Sequence, residues 1–443
     1  MRALMIVAIA LPLVWTVTMT ASALAQTFSS GSSGADGAFT PTTNTTLTPP
    51  ANGVFNFTTI SIPSGVTVRF TRNAANTPVT LLATGNVTIV GTLDVSAANG
   101  GSVVDGTFLG SNAGAGGAGG FDGGSGANGV AATVGGTGLG PGGGGPGAGA
   151  GYAATGGIVS PTGTPGAPYG NAELLPLIGG SGGGGGDATL GTTSAGGGGG
   201  GGAILIASSG TITLTGTINA RGGSGGGGNN PGGGGSGGAI RLIATTITGA
   251  GGTLDVRGGS GNSGIGIASG GGSVGRVRLE AYTNSAIVNV NAVPPSVALP
   301  SAVALANGPT LTITTIGGVA TPATPTASFS APDVTLPAAI ANPVTLTLSG
   351  TNIPPGTPVT VVVSGQTGGS IAVSTTLGGT LASTRATAAV TIPTNRPCVV
   401  TASATFTPLT GGITPVTVAV AQRAASPAWI THGQGDVVDS RPR

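Results

Sequence analysis

The sequence contains no lysine, and charged residues of any kind are scarce. Only 5 % of its 443 residues are Asp, Glu, Lys or Arg, against about 25 % in an average soluble domain. The 13 cationic residues are all arginines and form no basic run, which argues against nucleic-acid binding by phosphate neutralisation. Aromatic residues make up 3 %, so the stacking platforms that nucleic-acid single strands require are missing as well.

Histidine and cysteine occur once each, at His432 and Cys398. One of each cannot assemble a His/Cys metal site within the chain, and we expect no cofactor. The missing lysine excludes a Walker-type phosphate loop, although GxGxxG matches abound in the glycine-rich stretches. GxSxG matches around Ser181, Ser224 and Ser236 are expected by chance in such a composition, and the only histidine base is near the C-terminus. The single thiol excludes an internal disulfide, and we expect Cys398 to be buried in an apolar run.

The N-terminus predicts export. Residues 1–25 have an arginine at position 2, an apolar run over 3–17 and a small-x-small Ala-Leu-Ala cleavage site at 23–25, which is the pattern of a secretory signal peptide. No later apolar run has the length of a membrane span. We therefore expect a mature chain without a membrane span, located outside a bacterial cell or on its surface, with the periplasm left open.

Short runs of Val, Ile, Leu and Thr bounded by Gly and Pro predict an all-β chain. The predicted fold is a right-handed parallel β-solenoid followed by an immunoglobulin-like β-sandwich. The predicted organisation is a signal peptide at 1–25, a polar N-terminal segment at 26–50, the β-solenoid at 51–292 with glycine-rich insertions at 97–202 and 222–238, a Pro-bearing linker at 293–308, the β-sandwich at 309–421 and a mobile tail at 422–443.

An internal repeat carries the solenoid prediction. The stretches LATGNVTIVGTLDVS (82–96), IASSGTITLTGTINAR (206–221) and IATTITGAGGTLDVR (243–257) share an apolar strand, a TI-type strand and the ending GT[LI][DN][VA]. Three short strands per unit, separated by short bends, are typical of a solenoid coil whose strands stack in parallel on the next coil. A fourth, decayed copy is expected from Gly275.

The glycine-rich insertions leave the repeat at equivalent positions, directly after its last strand. Such sequence either forms a mobile linker or packs as extended helices with three residues per turn, because backbones without side chains can approach closely. We favour ordered packing, since both insertions leave from repeated positions on a rigid coil. Residues 309–421 instead alternate short strands with Pro/Gly turns, the pattern of a β-sandwich.

Repeat positions place five polar residues in one candidate ladder. Because residues i and i+2 of a strand share a face, Asp255 and Arg257 are expected to pair. We interpret the ladder as structural or glycan-contacting; clustered carboxylates in a polysaccharide-cleaving enzyme are the alternative. The members are Asp94, Asn219, Arg221, Asp255 and Arg257.

A threonine face is the second candidate site. Thr211, Thr213 and Thr215 alternate with apolar residues and should point outward together. Regular TxT arrays on a flat solenoid can order water, as in ice-binding proteins. The counterpart TTITGAGGT contains glycines that are expected to break the array.

Three segments carry a resemblance to known proteins: GVFNFTTISIPSGVTVRF, GGGGGGGAILIASSGTI and GGGGSGGAIRLIATTI. They resemble a group of uncharacterised secreted bacterial proteins with β-solenoid coils and glycine-rich excursions, over about residues 35–285. The glycine blocks are also similar in texture to polyglycine-helix regions of phage tail-tip adhesins and to the glycine-rich repeats of mycobacterial surface proteins. The first group implies export and an extended body, and no activity.

Taken together, these features predict an exported, non-enzymatic structural or adhesive protein of the cell surface or extracellular matrix. Its partners would be surface glycans or other envelope or matrix components, held by weak multivalent contacts. A carbohydrate- or ice-binding solenoid is the first alternative. A polysaccharide-cleaving β-helix enzyme is the second.

Overall fold

The computed structural model describes most of the chain after the predicted signal peptide. In the described residues the chain is all-β and contains no helix, which confirms the predicted class. The predicted signal peptide and the C-terminal residues 427–443, with His432, lie outside them. The described residues are 26–103, 111–129, 133–158, 163–188, 191–192, 194–264, 267–291, 294–304, 308–327, 329, 331–337, 340–394, 396–406 and the backbone of 418–426.

The first part of the chain is built from parallel strands. They form a nine-stranded and a six-stranded sheet. The strands are β1 (Ala38–Phe39), β2 (Thr45–Leu47), β3 (Val54–Phe57), β4 (Thr59–Ile62), β5 (Thr67–Phe70), β6 (Val79–Ala83), β7 (Val87–Ile89), β8 (Thr92–Asp94), β9 (Ala203–Leu214), β10 (Thr217–Asn219), β11 (Ala239–Thr248), β12 (Ala250–Asp255), β13 (Arg276–Asn284), β14 (Ile287–Asn291) and β15 (Ser296–Ala298).

Each repeat contributes three strand stretches, which define three faces. The first face contains β3, β6 and the first halves of β9, β11 and β13. The second contains β4, β7 and the second halves of the same three long strands, after an irregularity in register near Ser209. The third contains β2, β5, β8, β10, β12 and β14. β13 begins directly after Gly275, where the decayed copy is expected, and pairs with β11 throughout.

The inward side chains of the three faces meet in one apolar core, because alternate residues of a strand point to opposite sides. The first face is also buried on its outer side, where Leu82, Leu205 and Ile243 pack against Phe28 and Val303. Its strands therefore read as continuous apolar runs. The buried inward residues include Ile60, Ile62, Val68, Leu81, Val87, Ile89, Leu93, Ile204, Ile206, Ile212, Leu214, Ile218, Ile240, Leu242, Ile247 and Leu254.

The described parts of the glycine-rich insertions pack side by side as extended segments. Residues 196–202 lie at the centre of this packing, and we call them the central glycine segment. Every third amide of this segment donates a hydrogen bond to the same neighbouring segment. The amides of 196, 199 and 202 donate to segment 95–101, those of 197 and 200 to segment 121–124, and those of 198 and 201 to segment 233–236, at 2.8–3.0 Å.

The carbonyl oxygens of the central glycine segment accept hydrogen bonds from three further segments, 114–117, 180–183 and 223–226, and from the Ala239 amide. The segment is thus hydrogen-bonded on all sides and has no bonds within itself. A period of three without internal bonds is the geometry of polyproline II-type helices. Only glycine fits: a Cβ on Gly198 would overlap the Gly223 carbonyl oxygen.

Three segment boundaries differ from the predicted ones. The N-terminal segment 26–50 contributes β1 and β2 to the sheets. The predicted linker 293–308 contains β15, which pairs with β13 and so covers the edge of the larger sheet. The last strand of the chain continues to Ser426, into the predicted tail, because its backbone stays paired up to Cys398 of the neighbouring strand.

The second part of the chain is antiparallel, with a five-stranded and a four-stranded sheet. One apolar core contains inward residues of both sheets. Cys398 is buried in this core, as expected, and burial raises the pKa of its thiol to about 12. The strands are β16 (Thr310–Ile316), β17 (Val319–Ala320), β18 (Val344–Thr351), β19 (Pro358–Gly365), β20 (Ser370–Thr376), β21 (Gly378–Thr380), β22 (Ser383–Val390), β23 (Cys398–Phe406) and β24 (Val418–Ser426).

Candidate binding face and polar ladder

Outward side chains of the second face form two rows that run across four repeats and continue into a fifth, where Asn284 takes the inward position but is exposed. The rows follow from the strand register, in which Ile60, Val87, Ile212 and Ile247 occupy equivalent inward positions. The residues on either side of these positions point outward and are half-buried or exposed. We call the ten outward residues the hydroxyl face: Thr59, Asn86, Thr211, Thr246 and Thr283 in the first row, and Ser61, Thr88, Thr213, Thr248 and Ser285 in the second.

Hydrogen bonds between neighbouring repeats hold parts of these rows in place. The Ser285 hydroxyl donates to the Thr248 hydroxyl at 3.2 Å. The Asn86 side chain accepts from the Thr211 amide at 2.9 Å. None of the ten residues is charged or aromatic. The result is a neutral surface whose chemistry repeats with the strand spacing.

The predicted threonine residues divide between the rows and a corner. Thr211 and Thr213 lie in the two rows, whereas Thr215 follows the end of β9 at the bend toward β10. The glycines of TTITGAGGT also fall beyond the rows, because Gly249 follows the last residue of β11. Thr246 and Thr248 therefore complete the array that these glycines were expected to break.

The predicted ladder lies on the third face. Asn219 pairs in register with Asp94 on one side and with Asp255 on the other. Arg69 extends this row beyond Asp94, and Asn291 extends it beyond Asp255. Sequence reasoning missed both of these residues, since neither lies within the three repeat copies at 82–96, 206–221 and 243–257.

The ladder side chains close the same local turn in three repeats. Each accepts a hydrogen bond from the amide two residues further on, as short polar side chains do at chain reversals. The acceptors Asp94, Asn219 and Asp255 bind the amides of residues 96, 221 and 257 at 2.9, 3.2 and 3.2 Å. The turn ends the last strand of each repeat and directs the chain into its glycine-rich insertion.

Ion pairs neutralise both carboxylates of the ladder. The Arg69 guanidinium lies 2.7 Å from Asp94. Asp255 is paired with Arg257 at 2.7 Å, as predicted from their spacing, and Arg221 approaches it to 3.7 Å. Burial opposes the ionisation of Asp255, but the hydrogen bonds and charge of Arg257 and the charge of Arg221 outweigh it, so its pKa lies below the usual range.

Asp255 lacks the raised pKa of a general acid. A general acid of a glycosidase needs a raised pKa, and the pKa of Asp255 is lowered. The strand of Asn219 lies between Asp94 and Asp255, so their strands are about 9–10 Å apart at the usual spacing. Among the described residues, no group of three or more His, Cys, Asp and Glu side chains is placed to hold a metal ion.

A buried ion pair lies outside both predicted sites. Arg241 and Glu280 are 0 % exposed, and their side chains meet at 2.9 Å. Glu280 also accepts from Arg278 at 2.6 Å and from the amide and hydroxyl of Ser301. Burial opposes the ionisation of Glu280, but the Arg241 hydrogen bond and charge prevail, and its pKa is lowered. The pair fastens the predicted linker to the outer side of the first face.

The chain matches no family model, no curated protein and no solved structure. The resemblance to secreted bacterial glycine-rich proteins therefore stays a prediction. Within the part of the chain that is described, no helix has the length and apolar character that a membrane crossing requires.

Proposed function

We propose that this protein is an exported, non-enzymatic structural or adhesive protein of the bacterial surface or extracellular matrix. In this proposal the stacked repeats form a right-handed β-solenoid, and the antiparallel part is an immunoglobulin-like β-sandwich that acts as spacer or attachment module. The observation that carries the proposal is the packing of the central glycine segment. A chain that commits so much glycine to a closely packed body is built for stiffness.

The mechanism is passive. Each residue of 196–202 has its amide and its carbonyl group paired with another segment, so the backbone cannot move locally without breaking buried hydrogen bonds. Such a region does not fray residue by residue, because several packed segments must separate together before it opens. Proteases act on segments that open locally, so the packed body resists them in a medium that contains them.

Contacts to a partner would come from the repeated neutral surface. Single hydroxyl and amide contacts are weak, but equivalent side chains on successive repeats can engage a repetitive partner together, and linked contacts reach an avidity above that of each one. Surface glycans and other envelope or matrix components have the repetitive chemistry that this requires.

The test is the location of the native protein. Intact cells are treated with a protease or labelled with an antibody, and the protein is quantified on the cells, in the periplasmic fraction and in the medium. We expect labelling at the cell surface or in the surrounding matrix. A protein found only in the periplasm, or released entirely as a soluble monomer, would refute the surface role and favour a diffusible binder or enzyme.

A further inference from the structure

We propose that the hydroxyl face binds ice. The inference rests on the proposed function in one respect, because it uses the contact surface of the proposed solenoid; on the hydroxyl face it puts ice in the place of the glycan or matrix partner named above. It uses the ten outward residues of the second face and no residue of the polar ladder.

The register supplies the first argument. Equivalent side chains on neighbouring strands recur about every 4.8 Å, and side chains at i and i+2 recur about every 6.7 Å along the strand. Parallel pairing of β4, β7, β9 and β11 keeps both rows aligned from repeat to repeat. The face is thus a two-dimensional grid of similar groups, which matches a ligand that is itself a lattice.

The chemistry of threonine supplies the second argument. Seven of the ten positions are threonine: 59, 88, 211, 213, 246, 248 and 283. A β-branched side chain on a strand has few χ1 rotamers, so its hydroxyl and methyl groups keep nearly fixed positions before any ligand binds. The hydroxyl can hold a water molecule in place, and the methyl group limits the number of competing hydrogen bonds beside it.

A soluble sugar fits this face less well than a lattice does. Small-ligand sites are concave and bring a few polar groups together around an apolar or aromatic surface. The hydroxyl face lies on the outside of a sheet, and none of its residues is aromatic. It also lacks charged side chains, which would hold their own disordered hydration shells against an ordered water layer.

The N-terminal segment covers the outer side of the first face, and its contacts stop where the second face begins. The Phe28 amide donates to the Thr245 hydroxyl at 2.9 Å, and the Ser30 amide donates to the Ser209 hydroxyl at 3.0 Å. Both acceptors stand just before the first row of the hydroxyl face. The N-terminal segment thus seals an apolar surface, while the threonine rows beside it stay half-buried or exposed.

The test uses the purified mature chain. Ice recrystallisation in a frozen solution and the binding of fluorescently labelled protein to a growing ice crystal are measured for the wild type, for Thr213→Lys and for Thr217→Lys. Thr213 lies in the second row, whereas Thr217 points outward from the third face of the same repeat and is also half-buried. Thr217→Lys is therefore a matched control for charge, size and repeat. Circular dichroism verifies that each variant is folded.

We expect the wild type and Thr217→Lys to label the crystal and suppress recrystallisation, and we expect Thr213→Lys to lose both effects. An inactive wild type would overturn the proposal, and so would a folded Thr213→Lys variant with full activity. Binding to crystalline cellulose or chitin that Thr213→Lys abolishes, without binding to ice, would assign the face to a polysaccharide instead. Ice binding by a protein confined to the periplasm would refute the surface role alone.

Discussion

Replacement of Gly198 by alanine tests whether the glycine-rich insertions act as one packed body. The Gly198 amide donates to Gly233 and its carbonyl accepts from Gly183, both at 2.9 Å. The new Cβ would overlap the carbonyl oxygen of Gly223. The segment that contains Gly223 would have to move away, and its hydrogen bond to Gly199, 2.8 Å long, would break.

The expected loss follows from these contacts. Overpacking a tight interior costs about 1–3 kcal/mol, and each buried backbone group left without a partner costs about 1–3 kcal/mol. We therefore expect Gly198→Ala to reduce the free energy of unfolding by about 3 kcal/mol or more. Amide hydrogen exchange read by mass spectrometry should show faster exchange across residues 196–202 and across the segments that they contact.

Gly271→Ala is the matched control. Gly271 lies in another glycine segment, outside the left-handed region, and a Cβ there would meet its nearest atom at 3.5 Å, an ordinary contact. Alanine should leave stability unchanged or raise it by about 0.4–1 kcal/mol, because it restricts the unfolded chain. If Gly198→Ala and Gly271→Ala had the same melting temperature and exchange rates, the close-packed array would be refuted.

Three further predictions concern single side chains. Glu280→Gln should destabilise the fold by about 3–5 kcal/mol, because it leaves Arg241 as a buried charge without its partner. Because the pKa of Glu280 is lowered from its ordinary value of 4.5, the contribution of its carboxylate to stability is complete above that value and is lost as the pH falls from there through the folded-state pKa. Acid titration of the melting temperature would detect this loss. Cys398 should stay unmodified by a thiol reagent at pH 8 in the native protein and react fully in denaturant, and rapid native labelling would contradict its burial. Asp255→Asn should reduce the free energy of unfolding, measured by chemical denaturation, by about 1 kcal/mol or less. Arg257 is half-exposed, and asparagine can still accept the hydrogen bond from the amide of residue 257. A loss above about 3 kcal/mol would show that the ladder is structurally indispensable.

The internal repeat made much of the parallel part predictable. Asn219 and Asp255 occupy equivalent positions in two copies of the repeat, and they lie opposite one another in neighbouring strands. The strand period of two then orients the neighbouring side chains, which is why the Asp255–Arg257 pair could be foreseen. The C-terminal limits of both insertions match the starts of the next strands, β9 at Ala203 and β11 at Ala239, whereas the preceding strands already end at Asp94 and Asn219.

The hydroxyl face could be predicted only in part, for a physical reason. Its rows join Thr88 to Thr213 across an insertion of more than a hundred residues, and the TIT pattern weakens to NVT and TIS in the earlier repeats. Sequence comparison also did not show that the glycines after Thr248 belong to the corner rather than to the strand. Only the strand register shows where the strand ends and the corner begins.

The buried Arg241–Glu280 pair could not be predicted because its partners come from three distant segments. Arg241 and Glu280 lie on neighbouring strands two residues out of register, and Ser301 arrives from the segment read as a linker. Charges within an apolar strand pattern are usually read as outward and solvated. Here the returning chain covers them, and their hydrogen bonds fix where it lies.

Within the glycine-rich insertions, the scarcity of charge and the abundance of glycine have a common physical cause. Backbones that hydrogen-bond on all sides leave no room for side chains. The interior of the packed glycine-rich insertions therefore excludes charged residues. Charges are confined to its margins, where Arg72 meets Asp122 and Arg257 meets Asp255. Hydration of the molecule then depends largely on neutral groups, and the hydroxyl face is a regular set of these. The strand register gives that face its even spacing, and a neutral, evenly spaced surface is the property that the proposed binding to an ordered lattice requires.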